Sequence, residues 1–102
     1  MLIKSQEKKS SVMKDYIYKK VKELVDDGLM QMRDYNLSET KYLYWLRYSQ
    51  EVIRILTSDY NPSIYLNYLR VGMNIDTTLR PTQKIGMCID YLIGVLRIIA
   101  VS

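Results

Sequence analysis

The sequence predicts an all-α protein, a compact four-helix domain with a highly apolar C-terminal helix, on three observations. Apolar residues recur with the 3.6-residue period of one helix face through three long stretches. Helix-start chemistry stands between them, at Asn36 to Glu39, at Asn61-Pro62 and at Pro81. The final stretch, Pro81 to Val101, is apolar around most of its circumference and must be covered on several sides by its own chain or by a second copy. With 102 residues the chain makes one domain, and its core is marginal in the surface it can bury. The expected organisation is a flexible basic tail over 1–10 followed by a single helical domain over 11–102.

Taken in order, Met1 to Ser10 is polar and reads as a loose or frayed start. Ser10 or Ser11 can cap a helix running to about Asp34. Its expected inner face is Tyr18, Val21, Val25, Gly28, Leu29 and Met32, flanked by Ile17 and Leu24. Gly28 weakens this helix by about 1 kcal/mol relative to alanine. It marks either a close crossing with another helix or a break after Asp27.

Asn36 and Glu39 have capping-box spacing, with Ser38 as a second candidate cap. The helix that follows has an apolar face of Tyr42, Trp45, Leu46, Ser49, Val52, Ile53 and Leu56, which places Trp45 in the core against the last helix. Tyr44, Tyr48 and Ile55 form a second, half-apolar flank, suited to a neighbouring helix of the domain or to a partner. Asn61 then caps a short helix, Ser63 to Val71, with Pro62 at its first position, Tyr65, Tyr68 and Leu69 inward and Gly72 just past its end. Met73 to Arg80 is the longest connection, where Asp76, Thr77 or Thr78 can cap a turn. In the last helix, Ile85, Cys88, Ile89, Leu92, Leu96 and Ile99 share one face, and Gly86, Asp90, Gly94 and Arg97 form a narrow polar seam.

Charge is unevenly spread. Residues 1 to 22 hold seven lysines against Glu7 and Asp15, whereas the remainder carries eight basic and nine acidic residues. The net charge of +4 therefore describes the N-terminal segment and not a basic body. Nucleic-acid contacts, the competing functional class, would run through Lys8, Lys9, Lys14, Lys19 and Lys20. A helix-turn-helix variant of that class would use the third helix as reader, with Asn67 and Arg70 toward bases, but few basic neighbours accompany them.

Catalytic chemistry has little to work with. The chain has no histidine and one cysteine, Cys88, which removes the usual general base, the histidine-containing triads and the known zinc ligand sets. The four glycines form no phosphate-binding pattern. Asp26 and Asp27 are adjacent and diverge on a helix, and Asp90 is expected to be partly buried or paired with an arginine. No catalytic, cofactor-binding or metal-binding residue is assigned. No signal peptide is visible, Asp90 and Arg97 interrupt the one long apolar run, and the lone cysteine suits a reducing compartment. The expectation is a cytoplasmic protein without a membrane partner.

Ten tyrosines and one tryptophan stand beside no phenylalanine. Tyrosine is common at protein interfaces, yet several of these must fill core sites that phenylalanine would otherwise occupy. Leu24-Val25-Asp26-Asp27-Gly28, Tyr42-x-x-Trp45, Val52 to Leu56, an aromatic pair in a short helix and a final Ile-Asp-Tyr-Leu-Ile-Gly-Val-Leu helix together resemble the small all-helical modules of bacterial antiviral-defence and prophage or mobile-element proteins. Those modules usually carry a phenylalanine where Tyr65 or Tyr68 stands here, and are usually fused to an effector domain that these residues do not include. The resemblance implies a free-standing interaction or regulatory element with a protein partner, and no activity. Two copies are expected to meet at the last helix. There Gly86 and Gly94 allow close approach, and Asp90 of one copy can pair with Arg97 of the other in a homodimer.

Overall fold

The computed structural model describes the backbone of residues 2–102 and the side chains of residues 11–102. Its elements are α1 (Leu2–Met32), α2 (Glu39–Thr57), α3 (Pro62–Met73) and α4 (Pro81–Val101), the all-α four-helix domain expected from the sequence. The longest pairing is α1 against α4, which run antiparallel: Gly86 near the start of α4 meets Met32 at the end of α1, and Ile99 and Ala100 meet Lys14 and Tyr18. Both α1 and α4 pack on α2, while α3 covers α2 and α4.

Local chemistry explains most boundaries. Ser38, not Asn36, caps α2: its Oγ accepts the Lys41 backbone N–H at 3.1 Å. Glu39 is thereby released from the capping box and accepts from the Lys84 ammonium at 2.7 Å. Asn61 caps α3 through the Ser63 N–H, with Pro62 at the first turn, as the sequence indicates. That helix continues to Met73, so Gly72 lies inside it and not beyond its end. Asp76 forms the turn before α4, accepting from the N–H and hydroxyl of Thr78. Gln83 reaches back to the Arg80 N–H at 2.9 Å and closes the first turn of α4. The first helix begins at Leu2, upstream of the Ser10 or Ser11 start.

The core gathers Ile17, Val21, Leu24 and Val25 from α1, Tyr42, Trp45, Leu46 and Ile53 from α2, Ile64 and Tyr68 from α3, and Ile85, Cys88, Ile89, Leu92, Val95 and Ile99 from α4. On α1 the buried stripe is turned from the expected one. Ile17 and Leu24 sit at its centre, and Tyr18, Leu29 and Met32 are partly exposed. On α3 it is Ile64 that is buried beside Tyr68, with Tyr65 and Leu69 half-buried.

Gly28 is a close crossing, and the helix is unbroken there. A Cβ at this position would lie 2.8 Å from Cζ2 of Trp45, too near for the rigid ring, and a tight 3.0 Å from Cδ1 of Ile89. The missing side chain is what lets α1, α2 and α4 meet at one level, with Trp45 buried against Ile89 of the last helix as expected.

A buried polar network ties α2, α3 and α4 together. Ser49 donates to the Leu46 carbonyl at 2.9 Å, so the Tyr68 hydroxyl donates to Ser49 Oγ at 2.7 Å. The Tyr68 ring stacks on Tyr91 at 5.5 Å, and Tyr91 donates to the Ile64 carbonyl at 2.7 Å. Burial pushes the Tyr68 phenol far up and the Cys88 thiol up to about 11. Both stay neutral across the physiological range.

Candidate interaction surface

The surface candidates fall on two different faces. On α2, Tyr44, Tyr48 and Ile55 are 72%, 59% and 62% exposed and share one helix face; they do not pack under a neighbouring helix of the domain. Beside them, α1 presents Tyr16 at 55% exposure. Between the two helices lies a cavity of about 500 Å³, whose α1 wall includes Tyr16, Lys20, Glu23 and Asp27 and whose α2 wall includes Tyr48, Val52 and Ile55. A second hollow of about 410 Å³ continues toward the start of α2, among Asp27, Gln31, Lys41, Tyr44, Trp45 and Tyr48. The two share Asp27 and Tyr48, so this is one groove along the α1–α2 junction.

The groove follows from helix geometry. Trp45 is drawn onto Gly28, and this brings the α1 and α2 backbones together at one level. Toward the other end of α2, Val52 and Leu56 are only half-buried against α1, which leaves the hollow open. Lys20, Glu23, Asp27 and Lys41 line the groove, and Lys19, Asp26 and Asp59 are exposed charges adjoining them in the chain or at the end of the groove. On α1, Lys19 and Lys20 precede Glu23, Asp26 and Asp27; on α2, Lys41 stands at one end and Asp59 just beyond the other. Lys20 reaches Glu23 at 3.4 Å and lies over the Tyr16 ring at 5.7 Å, which fixes the basic corner of the α1 wall. At the other end Lys41 is 3.9 Å from Asp34, an exposed and loosely held pair. Nε1 of Trp45 is buried with no hydrogen-bond partner among the described residues.

The α4 seam is different. Asp90 and Arg97 are exposed, which corrects the expectation of a partly buried Asp90. A Cβ on Gly94 would meet nothing within 4 Å, and one on Gly86 would touch only Met32 at 3.4 Å. The wide apolar arc expected to need a second copy is covered by the chain itself. Ile85, Cys88, Ile89, Leu92, Val95 and Ile99 are buried, Tyr91, Ile93 and Leu96 pack against the core, and the exposed apolar remainder is Met87, Ile98 and Val101.

The lysines proposed for nucleic acid do not form one patch among the described residues. Lys14 lies by the end of α4 beside Ile99 and Ser102, whereas Lys20 lies on the α2 side in the groove. Lys19 is exposed beside it, and Lys8 and Lys9, within the stretch 1–10 expected to be a flexible tail, lie outside the described side chains. On α3, Asn67 and Arg70 are exposed, but Arg70 is the one basic side chain of that helix.

Sequence reasoning missed Lys84. Its side chain is 7% exposed, bound to Glu39 and held 5.5 Å over the Tyr42 ring, so it joins the start of α4 to the start of α2. A lysine next to an apolar run carries no mark of burial; the signal is a glutamate freed by a serine cap. Among the described residues no cluster of three His, Cys, Asp or Glu side chains could hold a metal ion, and no helix is long and apolar enough to cross a membrane. No family model, curated protein or solved structure matches the chain.

Proposed function

We propose that this protein is a non-catalytic helical interaction module of regulatory type, and that the α1–α2 groove is its docking surface. One observation carries the reading: Tyr16, Tyr44, Tyr48 and Ile55 line or border a continuous groove while more than half exposed. A 102-residue protein with a small core loses solubility by displaying such side chains together, so their grouping on one face suits an occupant. Tyrosine suits that role because it buries a large area while keeping a hydroxyl for water or a partner. The reading extends the resemblance to free-standing modules of prophage and mobile-element proteins, and it assigns no cofactor.

Site-specific photocrosslinking in the native host tests it. A photoreactive phenylalanine analogue in place of Tyr48 should give protein adducts well above those from the same analogue in place of Leu66, an exposed position on α3. Equal yields at the two positions would overturn the assignment of this face.

A further inference from the structure

Resting on that reading, we infer that the occupant of the α1–α2 groove is a second copy of this chain, docked antiparallel about a twofold axis near the level of Gln50 and Glu23. An isologous contact demands that a surface be complementary to itself after a half-turn, a condition few faces meet. This face meets it in the order of its apolar and charged side chains, the exposed rims of α1 and α2 meeting their own copies across the groove.

Along α2 the half-turn sets Tyr44 opposite Ile55 of the second copy and Tyr48 opposite Val52, and each of these pairs then recurs on the other side of the axis. The exposed Tyr44, Tyr48 and Ile55 thus face one another's side of the axis, with the half-buried Val52 beneath Tyr48. At the rim the same half-turn brings Lys41 to Asp59 of the second copy. Both are exposed, and Lys41 is held within its own chain only by Asp34 at 3.9 Å.

The α1 wall obeys the same symmetry. Gly28 lies at the level of Trp45, and Tyr16 lies at the Ile55 end of the groove, so Glu23 falls near the axis. The half-turn then places Lys19 and Lys20 toward Asp27 and Asp26 of the second copy, and Tyr16 toward Met30, which is 68% exposed. A parallel partner, with the twofold axis along the groove, would lay α1 of each copy over α2 of the other and lose these pairings. Glu23 meets its own copy near the axis, and Lys20 beside it at 3.4 Å offsets that repulsion. The α4 seam offers one such charge pair, Asp90 with Arg97, beside an apolar arc that is already covered.

Sedimentation velocity on the full chain across micromolar concentrations tests the inference. The wild type should sediment as a dimer. Tyr48→Glu should raise the dimer dissociation constant about tenfold or more, with the helical circular dichroism retained. Should Tyr48→Glu disturb folding, Ile55→Glu probes the same contact. Lys41→Glu should weaken the dimer about fivefold, and adding Asp59→Lys should restore it, because the exchanged charges again face each other. Gly94→Leu should leave the mass unchanged. A strict monomer, a dimer dissociated by Gly94→Leu but not by Tyr48→Glu, or no restoration by Asp59→Lys would overturn the inference. A monomer whose position-48 adducts all contain other proteins would overturn this inference alone; a monomer with no excess of adducts at position 48 would overturn the function as well.

Discussion

Six of the ten tyrosines form two groups of three, and the difference between them separates what builds the fold from what is displayed on it. Tyr42 and Tyr68 are buried and Tyr91 is half-buried, and each is tied to a second element: Tyr42 lies beneath Lys84, Tyr68 bonds to Ser49, and Tyr91 bonds to the Ile64 carbonyl. Tyr16, Tyr44 and Tyr48 lie along the α1–α2 groove, more than half exposed. The same residue type therefore fills core sites, where Tyr68 and Tyr91 hydrogen-bond through their hydroxyls, and stands exposed on the surface. In a chain without phenylalanine, composition does not separate the two; burial does.

The sharpest way to break this comparison is at Trp45, where the populations meet: its ring is core, yet it adjoins Tyr44 and Tyr48 in the groove. Trp45→Ala should destabilise the fold by about 3–5 kcal/mol, a large part of the stability of so small a domain. A melting temperature unchanged from wild type would refute its role as the packing centre of α1, α2 and α4.

Alkaline pH should act on the core population next. Burial pushes Tyr42 from 10.0 to about 12 and Cys88 from 9.0 to about 11, with the charges of Cys88 and Glu39 adding to the shift of Tyr42. The folded state holds these protons more tightly than the unfolded chain. Their contribution to stability is therefore complete below the unfolded values and is lost as pH rises through the folded ones. Denaturant melts should show stability falling between pH 9 and pH 12, with Cys88 protected from alkylating reagents at pH 8 until the protein unfolds. A flat stability profile across that window would contradict the burial of both groups.

The smallest effects come from removing one oxygen from each population. Tyr68→Phe should cost about 1 kcal/mol, because Ser49 loses a buried donor but keeps its own bond to Leu46. Tyr48→Phe should change the stability of the fold by less than about 0.5 kcal/mol, since its hydroxyl bonds to no other side chain among the described residues. Equal losses measured by chemical denaturation would erase the distinction drawn above.

Much of the fold was legible in the chain. The expected α2 face of Tyr42, Trp45, Leu46, Ser49, Val52, Ile53 and Leu56 is one face at the helical period, and all of it is buried except Val52 and Leu56, which are half-buried. Asn61-Pro62 and Pro81 start helices where they stand because capping chemistry is local. Legibility failed on α1, where Tyr18, Leu29 and Met32 are as apolar as Ile17 and Leu24. Periodicity alone does not say which edge of a broad stripe faces inward.

By itself, then, the sequence determined the helical class, the principal core face of α2, the starts of α3 and α4 and the flank of Tyr44, Tyr48 and Ile55, since each depends on residues within a few turns of one another. Only the tertiary structure decided that this flank stays open beside Tyr16, that α4 is covered by its own chain, that Lys84 finds Glu39 and that Tyr68 finds Ser49. These outcomes depend on how far each helix is rotated about its axis when four of them pack. That rotation is set by side-chain volumes summed across the whole core, with Trp45 seated on Gly28 among them, and not by any one segment of the chain.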